Sequence, residues 1–161
     1  MGITVIKKDG GSGGGGSAGG FWNSVTTTTD FVISNNGTYT DVTGLSVSLE
    51  ANSLYLIALE LGGYRDGSGT GQWFLDYSGT KADGAIRALD DATGAGYSSS
   101  ADILASKVQY ITTSGTVFVS FRGYIETTTA GDLQVQLKQA NVTMDDTVCV
   151  AGSTIMYKKV V

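Results

Sequence analysis

No histidine and no proline occur among the 161 residues of this chain, and there is one cysteine. Each absence closes off something. Without histidine, Ser-His-Asp and Cys-His nucleophile systems are excluded, and so are the common zinc sites. With Cys149 alone, no intrachain disulfide can form. That thiol lies in Thr147-Val-Cys-Val150 between apolar neighbours and reads as a small buried hydrophobe. Without proline, turns must rest on Gly, Asn and Asp, and edge strands lose one of their usual guards against edge pairing. Burying those edges in an oligomer would solve the problem.

Charge is scarce as well. Asp, Glu, Lys and Arg make up 16% of the chain, the formal net charge is −5 and the pI is near 4.5. Ten Lys and Arg, scattered along the sequence, make no basic stripe, so no nucleic-acid partner is expected. No window approaches the run of about 18 apolar residues that a membrane span needs. The segment Met1-Gly-Ile-Thr-Val-Ile-Lys-Lys8 lacks the apolar core of a signal peptide. The expectation is a soluble product made in a cytoplasm, with no membrane insertion.

What the chain does have is 24 glycines, many Thr and Ser, and 41% hydrophobic residues. Hydrophobicity at that level permits a globular core, and the length suffices for one domain with a tail. Residues 10–20, Gly-Gly-Ser-Gly-Gly-Gly-Gly-Ser-Ala-Gly-Gly, form a flexible linker by composition. As a coil it would span roughly 17–20 Å, and about 35–40 Å when stretched. Upstream of it, residues 1–9 read as a β-prone anchoring peptide carrying Ile3, Val5, Ile6, Lys7 and Lys8. The body is expected to be residues 21–161.

Strand signals fill the body. In Gly131-Asp-Leu-Gln-Val-Gln-Leu-Lys-Gln-Ala-Asn141, Leu133, Val135 and Leu137 alternate with Gln134, Gln136 and Lys138. A period of two places each set on one face of a sheet that is wet on one side. In Thr116–Ile125 and the Glu126 that follows, Val117, Val119, Phe121 and Ile125 share one face, while Phe118, Ser120, Arg122, Tyr124 and Glu126 share the other. Ser53–Leu61 is apolar on both faces, as expected of a central strand covered on two sides. Further strands are expected at Phe31–Ile33, Thr38–Val42, Leu45–Leu49, Gln72–Tyr77, Ala85–Leu89, Ile103–Ile111, Leu133–Ala140 and Ser153–Lys159, with a strong turn at Asn35-Asn-Gly37. A helical turn over 101–108 is the alternative there. Roughly eight to ten short strands spaced about ten residues apart predict an all-β, antiparallel jelly-roll sandwich with a Gly-rich N-terminal arm.

Tests for reaction chemistry mostly fail. Asp66-Gly-Ser-Gly-Thr-Gly71 and Gly94-Ala-Gly96 are glycine-rich, but neither joins a strand to an amphipathic helix as a phosphate cradle would. Paired carboxylates can cut a glycosidic bond, yet Asp90-Asp91 and Asp145-Asp146 are adjacent in sequence and read as solvated loop residues. No calcium-loop spacing is present. The expectation is therefore no enzyme, no catalytic residue, no metal and no cofactor. Aromatics offer the other opening, because sugars stack on exposed rings. Tyr64 and Tyr97, expected in loops, are the candidate ligand contacts for a host surface glycan. Trp73 and Tyr77 share a strand face and fit a core or subunit interface better.

Three runs carry a family likeness: Val47-Ser-Leu-Glu-Ala-Asn-Ser-Leu-Tyr-Leu-Ile57, Gly131–Asn141, and Thr147-Val-Cys-Val-Ala-Gly-Ser153. In this order they resemble small trimeric jelly-roll proteins of tailed-phage virions, of the tumour-necrosis-factor/C1q type, found as head decoration (cement) proteins and fibre knobs. The likeness covers roughly residues 40–160; residues 62–102 match nothing in it. It implies a virion structural protein on the outer surface of a phage particle, made in the host cytoplasm. Its partners would be sister chains in a homotrimer and a major capsid protein or other virion protein. A capsid decoration protein docked by its N-terminal arm is the first expectation, and a receptor- or carbohydrate-binding knob of a tail or head fibre is the alternative. Subunit-interface candidates are Leu54, Tyr55, Leu56, Ile57, Leu59, Phe118 and Tyr124.

Overall fold

A computed structural model describes residues 21–65, 71–89, 103–104, 110–111, 115–139 and 146–160. Among them are eleven strands: β1 (Asn23–Thr26), β2 (Phe31–Ser34), β3 (Thr40–Leu49), β4 (Ser53–Arg65), β5 (Gly71–Tyr77), β6 (Lys81–Ala88), β7 (Tyr110–Ile111), β8 (Val117–Thr127), β9 (Gly131–Gln139), β10 (Asp146–Cys149) and β11 (Thr154–Lys159). All pairings are antiparallel.

The long strand β4 organises the larger sheet. One edge pairs with β8 along eleven rungs, from Ser53–Thr127 to Gly63–Val117. Its other edge is shared, with β11 along Tyr55–Glu60 and β10 along Gly63–Arg65. Outside these lie β1 against β11, β2 against β10, and β6 against β8, which makes seven strands. The second sheet has the order β3-β9-β5-β7. Setting β2, β6 and β10 aside leaves eight strands. The first of these pairs with the last (β1·β11), the second with the seventh (β3·β9), the third with the sixth (β4·β8) and the fourth with the fifth (β5·β7). That nesting is one long hairpin rolled across two sheets, the jelly roll expected from the strand spacing.

Alternation builds the core. Tyr55, Ile57, Leu59 and Leu61 of β4, Val119, Phe121 and Ile125 of β8, Ile86 of β6 and Ile155 of β11 point inward from the larger sheet, all buried. They meet Val47 and Leu49 of β3, Trp73 and Leu75 of β5, and Leu133, Val135 and Leu137 of β9, in one cluster. In the core the Ser153 hydroxyl accepts from the Gly62 amide (3.0 Å) and donates to the Val150 carbonyl (2.9 Å).

The structure changes several expected elements. Thr43-Gly44 does not separate a pair of strands. It lies in a bulge inside β3, with the pairing to β9 shifting between Asp41 and Ser46 and Gly44 at φ +83°. Gln134 fills the gap, its side-chain amide donating to the Val42 and Leu45 carbonyls (3.1 and 3.0 Å). The turn at Asn35-Asn36-Gly37, with Asn35 at φ 49°, joins the two sheets and closes no hairpin, because β2 pairs with β10 and β3 with β9. Ile103 is not in a strand. Its backbone bridges the sheets, the amide bonding to the Ile86 carbonyl (2.9 Å) and the carbonyl accepting from the Leu75 amide (3.2 Å).

Candidate functional site

The two sheets differ on their solvent sides. Outside the four-stranded sheet, Ser46, Ser48, Asp132, Gln134, Gln136 and Lys138 alternate with the core residues. Their polar groups partner one another: Ser48 donates to Asp132 (2.6 Å), and Gln136 donates to Asp41 (2.7 Å). Tyr39 and Phe74 pack ring to ring at 5.2 Å, and the Lys138 ammonium sits 4.5 Å from the centre of the Tyr39 ring. This face is dressed for water.

The outer face of the seven-stranded sheet is different. Leu54, Leu56 and Ala58 of β4 stand beside Glu126, Tyr124 and Arg122 of β8, and beyond Leu56 and Ala58 come Lys158 and Met156 of β11. Leu56 is 39% exposed and Phe118 is 54% exposed. Farther along the face, Tyr64 faces Val148, which faces Val32, itself exposed. The Phe118 ring and the Val150 side chain close over Gly62 and leave no room there for a Cβ. Apolar side chains thus stand open on one sheet face, while on the other face polar ones partner one another.

Charges on this face stand in like-signed rungs. Arg87 of β6 is directly opposite Arg122 of β8, and Asp83 is directly opposite Glu126. Asp83 accepts hydrogen bonds from the Tyr124 hydroxyl (2.7 Å) and the Gly84 amide (2.8 Å). The first of these holds its carboxyl below the usual carboxylate range and pushes the Tyr124 hydroxyl up. The only ion pair among the described residues lies elsewhere, Lys159 to Glu50 at 2.7 Å.

The expected interface residues divide by face. Leu54, Leu56, Phe118 and Tyr124 lie on the open face. Tyr55, Ile57 and Leu59 do not: at 3%, 1% and 0% exposure they fill the space between the chain's own sheets. Burial within one chain, not between chains, therefore covers half of the Ser53–Leu61 strand. Tyr64 belongs to β4 and is half-buried, so it is not a loop residue, whereas Tyr97 lies outside the described residues. Trp73 is core, as its strand face suggested. Ile3, Val5, Ile6, Lys7, Lys8, the linker, Asp90, Asp91, Asp145 and the Gly94-Ala-Gly96 loop also lie outside the described residues. Asp146 opens β10, where the Ser34 hydroxyl donates to it, which corrects its expected place in a loop.

Burial pushes the Cys149 thiol up to about 11, so it stays protonated and unreactive at neutral pH. Among the described residues no group of three or more Cys, Asp or Glu side chains could hold a metal ion.

No protein-family model and no curated protein matches the chain. Solved structures that it resembles include that of the infectious bursal disease virus Gx strain, at 12% identity and TM-score 0.24. The alignment covers 99% of this chain and 43% of that one. Another is the infectious bursal disease virus VP2 subviral particle, at 12% identity and TM-score 0.23, with coverage of 99% and 46%. This chain thus spans less than half the length of either, and overlap of this quality carries no argument.

Proposed function

We propose that this chain is a non-enzymatic structural protein of a virus particle, a capsid decoration or cement protein of a tailed phage. In this reading its jelly roll sits on the outer surface and associates with copies of itself. Residues 1–9 dock on the shell protein and residues 10–20 span the gap. The observation that carries the reading is the unequal dressing of the two sheets. A free monomer would have no use for Leu54, Leu56, Phe118 and Val32 on one outer face when the other outer face is polar and self-satisfied. The three sequence runs that resemble phage knobs support the same reading. Several copies side by side would present several anchoring peptides at once, so weak individual docking is multiplied by effective concentration.

The docking half is tested with Ile3→Asp and Ile6→Asp in the full chain, added to phage shells stripped of accessory proteins and imaged by electron microscopy. Wild-type chain should decorate the shells and the double variant should not. Equal decoration by both would remove the anchoring role.

A further inference from the structure

The outer face of the seven-stranded sheet carries its charges in an order that suggests how two copies meet. Along β6 and β8 three outward rungs follow one another: Asp83–Glu126, Ala85–Tyr124 and Arg87–Arg122. Leu56 and Ala58 of β4 extend the second and third. The acidic and arginine rungs are four residues apart on each strand, about 13 Å along it. Like charges directly opposite weaken a sheet. The arginine rung therefore works against this chain's own fold, and neither arginine has an acid partner among the described residues.

A half-turn about an axis lying along the Ala85–Tyr124–Leu56 rung lays one such face on another and exchanges the two charged rungs. Arg122 then stands over Glu126 of the second copy, Arg87 over its Asp83, and the reciprocal pairs form as well. Tyr124 and Leu56 meet their own counterparts on the axis. Sheets stacked face to face lie about 10 Å apart, within reach of an Arg-to-Glu pair. Rotation about a threefold axis running along the strands would keep every rung at its own height and set arginine against arginine.

We propose that the outer face of the seven-stranded sheet binds a second copy of this chain by an isologous twofold contact, in which the Arg87–Arg122 rung of each copy pairs with the Asp83–Glu126 rung of the other. The inference rests on the self-association proposed above and names its geometry. It differs from the threefold arrangement that the family likeness implies.

The test is sedimentation equilibrium of the full chain at moderate ionic strength, with Arg122→Glu, Glu126→Arg and the double exchange. These side chains are exposed, and circular dichroism checks that each variant folds. Wild-type protein should be a dimer. Each single change sets like charges across the contact and should raise the dissociation constant by about tenfold or more. The double exchange should restore it, and the wild-type dimer should weaken as salt rises. A trimer overturns this inference while leaving the self-association reading intact. So does a dimer whose affinity ignores the single changes, or whose double variant is no better than the singles. A wild-type monomer overturns both.

Discussion

Substituting Gly123 by alanine should be the most damaging single-methyl change in the larger sheet. Gly123 lies on β8 opposite Ile86 of β6 and Ile57 of β4. A Cβ built there would lie 2.7 Å from both the Ala85 carbonyl carbon and the Ile86 Cα, and closer still to the Ala85 carbonyl oxygen. Carbon atoms in contact sit about 3.5–4.0 Å apart, so the two strands must separate by roughly 1 Å. The obstacle is backbone, and no rotamer relieves it. Hydrogen bonds near 2.9 Å would stretch past the range in which they hold. Among the described residues β8 is the only strand that β6 pairs with, so its ladder has no second edge to hold it. Loosening it exposes Ile86, which is fully buried, at about 1.5–3 kcal/mol. Two or three ladder bonds add about 1 kcal/mol each. The expected loss is about 3.5–6 kcal/mol, out of the 5–15 kcal/mol typical of a whole domain. Urea unfolding followed by circular dichroism at fixed protein concentration reads this as a lower midpoint at unchanged slope. Gly115→Ala is the control, because nothing lies within 4 Å of where its methyl would stand. An unfolding free energy for Gly123→Ala within about 1 kcal/mol of wild type would refute the reasoning.

Further outcomes follow from burial. Leu59→Ala opens the core and should cost about 2–5 kcal/mol in urea unfolding, whereas Leu56→Asp, three residues away on the opposite face, should cost under about 1 kcal/mol when both are compared at a concentration low enough for wild type to be monomeric. Alkaline titration should find stability constant up to about pH 9 and falling from there to about pH 11. Desolvation raises the Cys149 thiol from 9.0 to about 11, so the unfolded chain loses that proton first, and the stability lost across the window is about 2–3 kcal/mol. Cys149→Ala should flatten this alkaline slope, and an unchanged slope would remove the thiol as its cause. Iodoacetamide at pH 8 should leave folded protein unlabelled and label it in urea.

Much of the fold was legible because a period of two survives wherever one face is buried. Leu133, Val135 and Leu137 against Gln134, Gln136 and Lys138 announced β9, and the split of Phe118, Arg122, Tyr124 and Glu126 from Val119, Phe121 and Ile125 was correct residue by residue. The bulge in β3 was not legible, because Thr43-Gly44 has the composition of a turn and only Gln134, ninety residues on, repairs the ladder there. β1 and β10 were missed as strands, since Asn23–Thr26 and Asp146–Cys149 are too short to show a period. The site was half legible. A run apolar on both faces signals two covered sides but does not say which is covered by the same chain. Tyr55, Ile57 and Leu59 were therefore grouped with Leu54 and Leu56 until the second sheet placed them in the core. The like-charged rungs depend on the register of β6 against β8, which shifts between Lys81 and Asp83 and leaves no trace in the sequence.

Sedimentation equilibrium of the full chain at micromolar concentration, beside Leu56→Asp, bears most directly on the claim that sister chains cover the outer face of the larger sheet. The expected result is a wild-type assembly larger than one chain that falls to monomers in the variant, with both equally folded. A wild-type chain that sediments as a monomer would contradict it.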